Sequence, residues 1–456
     1  MRRTIALLAT SAIVALPSAA SAAPPWSAPV SVPGSQTANP ATVGVALGDI
    51  ERGVIGFSAN APQQTGAVAG FALGGPLPAQ SLAPYDLAAP AVSYGNTRSI
   101  LALRRTLDRD RGIARVAVRF TGLLAKLGEP QILDASVKLR DVALAADSNG
   151  GAALVWAEDK GYVGRRAKND RLYLSLRTAG GRFGKPSVLV GSGKLGSVSV
   201  AYGPNGHLVV AFERQAIDSR GQPGPRRVQA RYRTARGSFG PIDDLGIERG
   251  VTAIVSQVAG NGRAYVAWGT QDGGIEASEP YEVWATTRSA SASRFRAASK
   301  LHQGDRSLER PRGRLSLAID RSGADAVLAF TGIGRIGPAS RTLMPVLVSS
   351  TDSAGNFGPP VLVPGANGSV GGIVVAPGGV ATIVWTALKP NMVYEATGVL
   401  ASTRPAGGAF PAVPEVVSAT APGPYSVPSI ALPLTGGAPL VAWYEPATGI
   451  LTSRRG

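Results

Sequence analysis

The sequence contains no cysteine, and only 16 % of its 456 residues are charged. The absence of cysteine excludes disulfide-stapled domains, thiol catalysis and thiolate metal sites, so stability has to come from burial and closure of the fold. Beyond the N-terminus there is no run of about 18 or more apolar residues, the length that a membrane-spanning helix needs. Hydrophobic residues still make up 44 % of the chain, which is enough for a sizeable core and argues against disorder.

The N-terminus has the organisation of a secretory signal peptide. The segment MRRTIALLATSAIVALPSAASA combines a basic start, an apolar middle and a small-residue end. This pattern predicts that residues 1–22 are removed by cleavage after Ala22. We therefore expect a mature chain that is secreted or periplasmic and has no transmembrane anchor.

Glycine and proline are abundant, with 58 and 35 residues. Inside a helix, each glycine costs about 1 kcal/mol and each proline about 3 kcal/mol relative to alanine. The composition therefore favours many short strands joined by turns.

One phrase recurs along the chain, an aromatic residue or leucine followed by a short segment of Pro, Val, Ile or Leu, as in FGKPSVLV and FGPPVLV. Its first residue falls at Leu73, Leu127, Phe183, Phe239, Phe295, Phe357 and Phe410. The spacings are 54, 56, 56, 56, 62 and 53 residues. A period near 55 predicts a repeat architecture.

A second landmark runs in step with the first. Turns such as DSNG and GPNG recur along the chain, and an aromatic residue follows each of them by six or seven positions. These aromatics are Trp156, Phe212, Trp268, Phe330, Trp385 and Trp443. Asn-Gly between apolar runs is a hairpin signal. Together the two landmarks predict four antiparallel strands, a to d, in each repeat. Strand d contains proline, which lacks a backbone donor, so we expect strand d at the edge. Such a repeat is typical of a propeller blade, and we expect its aromatics to pack as core between blades.

The two ends of the chain complement each other. Residues 421–456 supply strands a, b and c of a last repeat, and the mature N-terminus, APPWSAPVSVPG, supplies a strand d with Trp26 at its aromatic position. We predict an all-β chain folded as a single β-propeller of about eight four-stranded antiparallel blades, with seven as the fallback. In this prediction the N-terminal strand closes the ring by completing the C-terminal blade.

The predicted propeller domain covers residues 23–456. Its repeats fall at approximately 38–85, 86–136, 137–192, 193–249, 250–307, 308–365, 366–420, and 421–456 together with 23–37.

The turn SSTDSAGNF carries Ser350, Asp352 and Phe357. It resembles the Asp-box of sialidase-like β-propellers, Ser-x-Asp-x-Gly-x-x-Trp, with Phe357 in place of tryptophan and Ala354 in place of glycine. The resemblance implies a propeller fold in which this box is a structural turn between strands c and d. Sialidases also share an Arg-Ile-Pro segment, an arginine triad and a Tyr–Glu pair. Because the chain has no Arg-Ile-Pro, the resemblance carries over the fold and no catalytic residue.

Several loops between strands b and c are long and polar, and in a propeller these loops share one face. Acidic residues there could ring the channel mouth, arginines could bind anionic groups bidentately, and tyrosines could stack on a sugar. The candidate ligand-binding residues are Glu158, Arg165, Arg166, Glu213, Arg214, Arg226, Arg227, Tyr281, Arg335, Tyr394, Tyr444 and Glu445. A solvated loop rim is the alternative interpretation of the same residues.

The net charge of +17 fits either a self-repelling soluble surface or attraction to an anionic glycan, a cell-wall polymer or a protein. No phosphate loop, zinc spacing or catalytic motif occurs, and the basic residues are not clustered with aromatics as nucleic-acid binding requires.

We expect a secreted, monomeric, non-enzymatic propeller that binds a glycan, peptide or cell-surface component through its b–c loop face, with no cofactor and no metal. The alternative is a sialidase-like or other glycoside-active enzyme, a glycoside hydrolase with a divergent site.

Overall fold

The computed structural model describes residues 25–36, 40–48, 52–59, 66–72, 75–89, 92–94, 98–122, 127–147, 149–235, 237–248, 250–270, 281–304, 315–320, 325–332, 334–336, 341–390, 395–423, 426–433 and 437–456. Within these ranges the chain is all β, built from antiparallel sheets without a helix. The same ranges accordingly offer no helix of the length and hydropathy that a membrane span requires. The expected all-β, propeller-like class is confirmed.

The strands fall into successive antiparallel units, numbered in chain order, with strands a to d in each. A short strand, β1 (Val30–Ser31), precedes them. Unit 1 consists of β2 (Pro40–Leu47), β3 (Gly53–Ala59), β4 (Gly66–Ala72), β5 (Gly75–Pro76) and β6 (Gln80–Ser81). Unit 2 consists of β7 (Asp86–Leu87), β8 (Val92–Tyr94), β9 (Arg98–Asp108), β10 (Ile113–Thr121) and the first half of β11 (Gln131–Ala146).

Units 3 to 5 are the most regular part of the chain. Unit 3 consists of the second half of β11, β12 (Ala152–Glu158), the small hairpin β13 (Tyr162–Val163) and β14 (Arg166–Ala167), β15 (Arg171–Arg177) and β16 (Ser187–Val190). Unit 4 consists of β17 (Lys194–Tyr202), β18 (Leu208–Ile217), β19 (Pro223–Arg233) and β20 (Asp243–Glu248). Unit 5 consists of β21 (Val251–Val258), β22 (Ala264–Thr270), β23 (Glu282–Arg288) and β24 (Ser299–Gln303).

The C-terminal units repeat this plan. Unit 6 consists of β25 (Leu315–Ile319), β26 (Ala326–Thr331), the hairpin β27 (Gly334–Ile336) and β28 (Arg341–Leu343), β29 (Pro345–Ser350) and the first part of β30 (Val361–Val375). Unit 7 consists of the later part of β30, β31 (Ala381–Leu388), β32 (Ala396–Arg404) and β33 (Glu415–Ser418). Unit 8 consists of β34 (Ser429–Ala431), β35 (Leu440–Glu445) and β36 (Gly449–Arg454).

Strand β11 is longer than predicted, at 16 residues, because it is strand d of unit 2 and strand a of unit 3 in one piece. The predicted boundary between the repeats 86–136 and 137–192 falls inside this strand. No glycine or proline lies between Leu133 and Arg140 to end the first strand, so the backbone stays extended through the junction.

Hydrophobic clusters form where one unit packs on the next. Trp156 of unit 3 shares a cluster with Ile100 and Val118 of unit 2, and Trp268 of unit 5 shares one with Val209 of unit 4. The six aromatics at strand b, Trp156, Phe212, Trp268, Phe330, Trp385 and Trp443, are fully buried. The prediction that they are core residues is confirmed.

The N-terminal strand pairs with the last unit. Val30 lies opposite Thr452 and Ser31 opposite Leu451 in antiparallel register, and Trp26 forms an isolated bridge with Arg455. The neighbouring Val32 is fully buried in a cluster that joins units 8 and 1. The predicted pairing of the first strand with the last sheet is therefore present.

Candidate functional site

The b–c loops lie at the end of strand c opposite the c–d turns, so they form a separate side of each unit. In unit 3, for example, β15 separates the b–c hairpin β13–β14 from the c–d turn, where Arg177 bridges Phe183. Most of the candidate binding residues lie on this b–c side. Their side chains fall into three groups that differ in what they contact.

The three candidate glutamates are buried and are bound within their own units. Glu158 pairs with Lys160 and accepts a hydrogen bond from the Tyr173 hydroxyl, with 3.1 Å between oxygens. Glu213 forms an ion pair with Arg226, and Glu445 accepts a hydrogen bond from the Thr448 hydroxyl. Each carboxylate thus ties the end of strand b to the loop or strand that follows.

Three of the candidate arginines are held by the fold. Arg226 pairs with Glu213, and Arg227 pairs with Asp244. Arg214 donates from Nε to the backbone oxygen of Ser192 at 2.8 Å and from Nη2 to the Ser192 hydroxyl at 2.7 Å. These side chains hold loops and strands together.

Arg165 and Arg166 differ because both side chains are exposed and neither forms an ion pair with a residue that the structure describes. They lie at the turn of the β13–β14 hairpin, which docks on the b–c hairpin of unit 4. The Ala167 N–H donates to the Gly221 carbonyl at 2.9 Å, and the Gln222 side chain approaches the Arg165 carbonyl at 3.5 Å. The two loops therefore form one composite surface.

Gly221 is required at this contact. Its φ is +79°, and a Cβ built there would lie 2.8 Å from Cβ of Arg166. The docking also brings in exposed Arg220, whose backbone N–H donates to Asp218. Arg165, Arg166 and Arg220 together are called the arginine patch. Arg220 is not among the binding residues predicted from the sequence, because docking between loops of different units leaves no sequence motif.

Two candidate tyrosines are core residues. Tyr281 is 3 % exposed and Tyr444 is 8 % exposed, and each belongs to a hydrophobic cluster between units. Burial raises the pKa of the Tyr281 hydroxyl. Since their rings are covered, neither can stack on a sugar, and the expectation that they do so is corrected. Tyr444 lies within strand β35 and Tyr281 directly precedes strand β23, so neither belongs to an exposed loop.

Two further candidates are only partly described. The backbone of Arg335 lies in strand β27 of the unit 6 hairpin. The Arg335 side chain and the whole of Tyr394 lie outside the described residues. Their roles stay predictions.

A lysine–aspartate network fixes the b–c loop of unit 3 to the start of strand β17. Lys194 Nζ lies 2.7 Å from Asp159 and 2.6 Å from Asp170, which is fully buried. Burial would raise the pKa of Asp159, but hydrogen bonds from Lys194 and Gly161 outweigh burial and lower it. Burial likewise opposes the rise in the Lys194 pKa that its two aspartate partners produce. This network anchors the loop that carries Arg165 and Arg166.

A second cluster on the b–c side contains two carboxylates. Glu158 accepts from Tyr173, whose hydroxyl also lies 3.4 Å from Nη1 of Arg171. Asp134, on β11, interacts electrostatically with both Glu158 and Lys160. Burial raises the pKa of Asp134, and the charge of Glu158 raises it further. Asp134, Glu158, Tyr173 and Arg171 are called the carboxylate cluster.

The Asp-box turn is formed by local hydrogen bonds. Asp352 accepts from the Asn356 N–H at 2.8 Å and from the Asn356 side chain at 3.1 Å, and these bonds lower its pKa. Phe357 forms a bridge with Thr351, and Ser350 accepts from Arg404 of unit 7 at 2.7 Å. These contacts give Ser350, Asp352 and Phe357 a structural role in the turn.

Arginines at the end of strand c account for part of the positive charge. Arg177 lies over the ring of Phe120 at 5.0 Å, and Arg288 lies over Tyr232 at 3.7 Å, in each case reaching the preceding unit. Equivalent positions hold Arg233, Arg404 and Arg455. The strand endings LSLR, RYR, TTR and STR are the sequence signal for this role. Arg404 and Arg455 likewise contact the preceding unit, through Ser350 and Glu415, whereas Arg233 lies over Phe239 of its own unit.

Among the described residues, no three or more histidine or acidic side chains are grouped so that they could hold a metal ion.

Comparison with known proteins gives only distant similarity. No protein-family model matches the chain, and no curated protein matches it. Solved structures with a similar arrangement include a prolyl endopeptidase, with a TM-score of 0.45, 12 % identity and coverage of 93 % of this chain and 55 % of that one. The chain thus spans about half the length of that enzyme.

Two glycan-active enzymes with propeller-like folds are also similar. One is an ulvan lyase from a new family of polysaccharide lyase, with a TM-score of 0.46, 8 % identity and coverage of 82 % and 94 %. The other is the NanB sialidase of Streptococcus pneumoniae, in a variant form, with a TM-score of 0.38, 8 % identity and coverage of 95 % and 94 %. At these scores nothing about activity or substrate transfers to this chain.

Proposed function

We propose that the chain is an eight-bladed propeller whose units form a closed ring. The hydrophobic clusters join units 1 and 2, 2 and 3, and so on to units 7 and 8, and a further cluster joins Leu440 of unit 8 to Ile55 of unit 1. The Val45 N–H of unit 1 also donates to the Ser429 hydroxyl of unit 8 at 3.3 Å. Contacts of this kind between first and last units are what a closed ring requires.

A central cavity supports the same proposal. A space of about 260 Å³ is bordered by the ends of strands a from units 3 to 8. Its lining includes Ala146, Tyr202, Gln257, Leu317 and Ile373, with Leu432 just after the strand of unit 8. Innermost strands that converge on one axis would leave such a space.

We further propose that the protein is exported, with residues 1–22 as its leader. The basic, apolar and small-residue order of that segment supports export. N-terminal sequencing of protein recovered outside the cytoplasm tests this proposal. A mature chain beginning at Ala23 is expected, and an intact Met1 on that protein would contradict cleavage.

We propose that the exported propeller binds an acidic polysaccharide through the arginine patch. The observation that supports this most strongly is the docking of two b–c loops, which gathers exposed guanidinium groups from two units on one surface. Guanidinium groups bind carboxylate or sulfate bidentately, and exposed arginines without an ion-pair partner can do so without breaking an internal bond. Neighbouring arginines 214, 226 and 227 are already engaged and serve as supports.

The test compares two double variants that remove the same charge. Binding to immobilised polygalacturonate is measured for the native chain, for R165A/R166A and for R182A/K185A, whose exposed cations lie at the c–d turn. We expect R165A/R166A to weaken binding about tenfold or more, equivalent to about 1.4 kcal/mol, and the control to stay within about twofold. Equal weakening in both variants would show that binding depends only on the net charge of the protein, and this would contradict the proposal.

A second candidate function is glycoside cleavage at the carboxylate cluster. The supporting observation is that a carboxyl with a raised pKa, Asp134, lies near the carboxylate Glu158, which is hydrogen-bonded to Tyr173. Acid–base cleavage of a glycosidic bond requires two carboxyl groups, one acting as the acid and the other as the base or nucleophile. Arg171 and Lys160 would favour a substrate that carries negative charge.

Turnover of a panel of fluorogenic glycosides, including an acidic sugar, tests this candidate. The variants are D134N, E158Q and Y173F, and the control is E395Q, an exposed glutamate paired with Lys389. A general acid or base contributes about 10²–10⁴-fold to the rate. The turnover rate should therefore fall about a hundredfold or more in D134N and in E158Q, and should not fall in E395Q. A pure native protein without turnover on the panel would overturn the candidate.

A further inference from the structure

A cavity of about 320 Å³ lies where the b–c hairpin of unit 2 faces the junction in strand β11. The hairpin β9–β10 contributes Thr106, Arg109 and residues 112–114, and β11 contributes residues 139–142. Pockets that hold small ligands span about 300–1,000 Å³, so this cavity has room for a compact ligand. None of the candidate residues from the sequence lines it.

Arg140 enters this cavity through a break in the strand register. Leu139 pairs with Glu158 and Asp141 pairs with Ala157, which leaves Arg140 as an extra residue between them. Such a bulge re-aims the side chain that it carries. The Arg140 side chain is exposed and, among the described residues, has no hydrogen-bond or ion-pair partner.

Arg109 is available for a different reason. The neighbouring Asp108 accepts from the Arg111 N–H at 3.0 Å and lies 3.5 Å from its guanidinium, so the local negative charge is already neutralised by Arg111. Arg109 itself is exposed at the hairpin tip and lines the cavity, without a side-chain partner in the described part of the chain.

Two further charged residues of the lining, Arg104 and Asp141, are bound to neighbouring groups of the protein. Arg104 lies 3.2 Å from Asp86, which is buried, and its Nε has no hydrogen-bond partner among the described residues. Asp141 lines the same space, but its two oxygens accept from the N–H groups of Val142 and Val198 at 2.9 and 2.8 Å. The one carboxylate in the lining is therefore committed to the backbone, and arginine dominates the remaining charge.

We propose that this cavity is an oxyanion-binding subsite, in which Arg104, Arg109 and Arg140 hold the carboxylate or sulfate of one acidic sugar residue. Guanidinium groups favour these anions because their paired N–H donors match two oxygens at once. The Thr106 hydroxyl adds a neutral donor or acceptor for the sugar. The subsite deepens the proposed binding of acidic polysaccharide and rests on it, since both lie on the b–c side of adjoining units.

The experiment uses small probes, so that it does not depend on the arginine patch. Calorimetric titrations of the native chain with D-glucuronate, sodium sulfate and neutral glucose are compared with those of R109Q and R140Q. Both variants change exposed side chains and are expected to fold, which a native melting temperature checks. R182Q is the matched control, because it removes one exposed arginine at a c–d turn, outside both the cavity and the arginine patch.

We expect glucuronate to bind at least tenfold more tightly than glucose. R109Q and R140Q should weaken glucuronate binding about tenfold, and R182Q should change it less than twofold. Tighter binding of glucuronate than of sulfate assigns a sugar carboxylate. Sulfate binding that is equal or tighter and is lost in R140Q assigns sulfate, and either result supports the subsite. No binding of either anion, or equal weakening in R182Q, overturns the proposed subsite. Loss of polygalacturonate binding in R165A/R166A with glucuronate binding intact would separate the two sites.

Discussion

The Ser27 hydroxyl lies 3.5 Å from the Ser453 hydroxyl, although 426 positions separate the two residues in the chain. The Ser453 hydroxyl also donates to the Ser27 carbonyl at 2.7 Å. With the pairing of Val30 and Thr452, these bonds attach the first described strand to the last one. The N-terminal segment therefore supplies the edge strand d of unit 8.

Deletion of residues 23–36 is predicted to destabilise the whole domain. The deletion removes Val32, which is fully buried between units 8 and 1, and exposes the edge of β36. Burial of one valine contributes about 1.5–3 kcal/mol and the lost hydrogen bonds add to it, so the free energy of unfolding should fall by more than about 3 kcal/mol.

Chemical denaturation measures this change, with a chain lacking only residues 1–22 as the control. Hydrogen exchange at the amides of β36 should speed up in the deletion variant alone. An unchanged denaturation midpoint would contradict the role of the N-terminal strand.

Arg177→Met is predicted to weaken the contact between units 2 and 3. The Arg177 guanidinium donates to the carbonyls of Gly181 and Gly150 and lies over the Phe120 ring. Methionine keeps the apolar stem but leaves both carbonyls without their charged donor, a loss of about 2–4 kcal/mol. Denaturation of R177M beside R182M, whose side chain is exposed, measures the difference, and equal midpoints would show that Arg177 is not a structural residue.

Lys194→Met is predicted to cost about 3–5 kcal/mol, because it leaves the buried carboxylate of Asp170 without its cation. The b–c loop of unit 3 should loosen with it. Denaturation at neutral pH measures the loss, and Lys185→Met, at an exposed position, is the control. A loss no larger than that of the control would remove Lys194 from the account of loop rigidity.

The same network predicts a pH dependence. The pKa of Asp159 is lowered in the folded state, so its stabilisation is complete above the unfolded value of about 3.9 and is lost as pH falls through the folded pKa. The difference in unfolding free energy between the native chain and D159N should therefore shrink from pH 6 to pH 3. The variant D244N, at a more exposed aspartate, is the control, and a difference that stays constant with pH would contradict the assignment.

The repeat made the strand plan predictable from sequence. The spacing of Phe183, Phe239 and Phe357 corresponds to c–d bridges in the structure, and Leu127 forms the same bridge in unit 2. Glycine turns and period-two strands are local signals, so they survive in a single sequence. The buried position of the strand-b aromatics follows from the same periodicity.

The candidate site was harder to predict because its geometry depends on contacts between units. Nothing local indicates that Ala167 bonds to Gly221, or that Glu158 takes its hydrogen bond from Tyr173. Tyr281 shows the opposite error, since a tyrosine beside a long loop is buried by the neighbouring unit. The bulge that frees Arg140 is likewise a property of strand pairing.

The attachment of the first strand to the last is tested most directly by a cysteine pair. The chain has no cysteine, so in S27C/S453C any intramolecular disulfide must join these two positions. Their hydroxyls are 3.5 Å apart, which lets the replacing sulfurs bond after a small adjustment. On oxidation under native conditions we predict no free thiol and a faster band on a non-reducing gel. Two titratable thiols and an unchanged band in the folded protein would contradict the account.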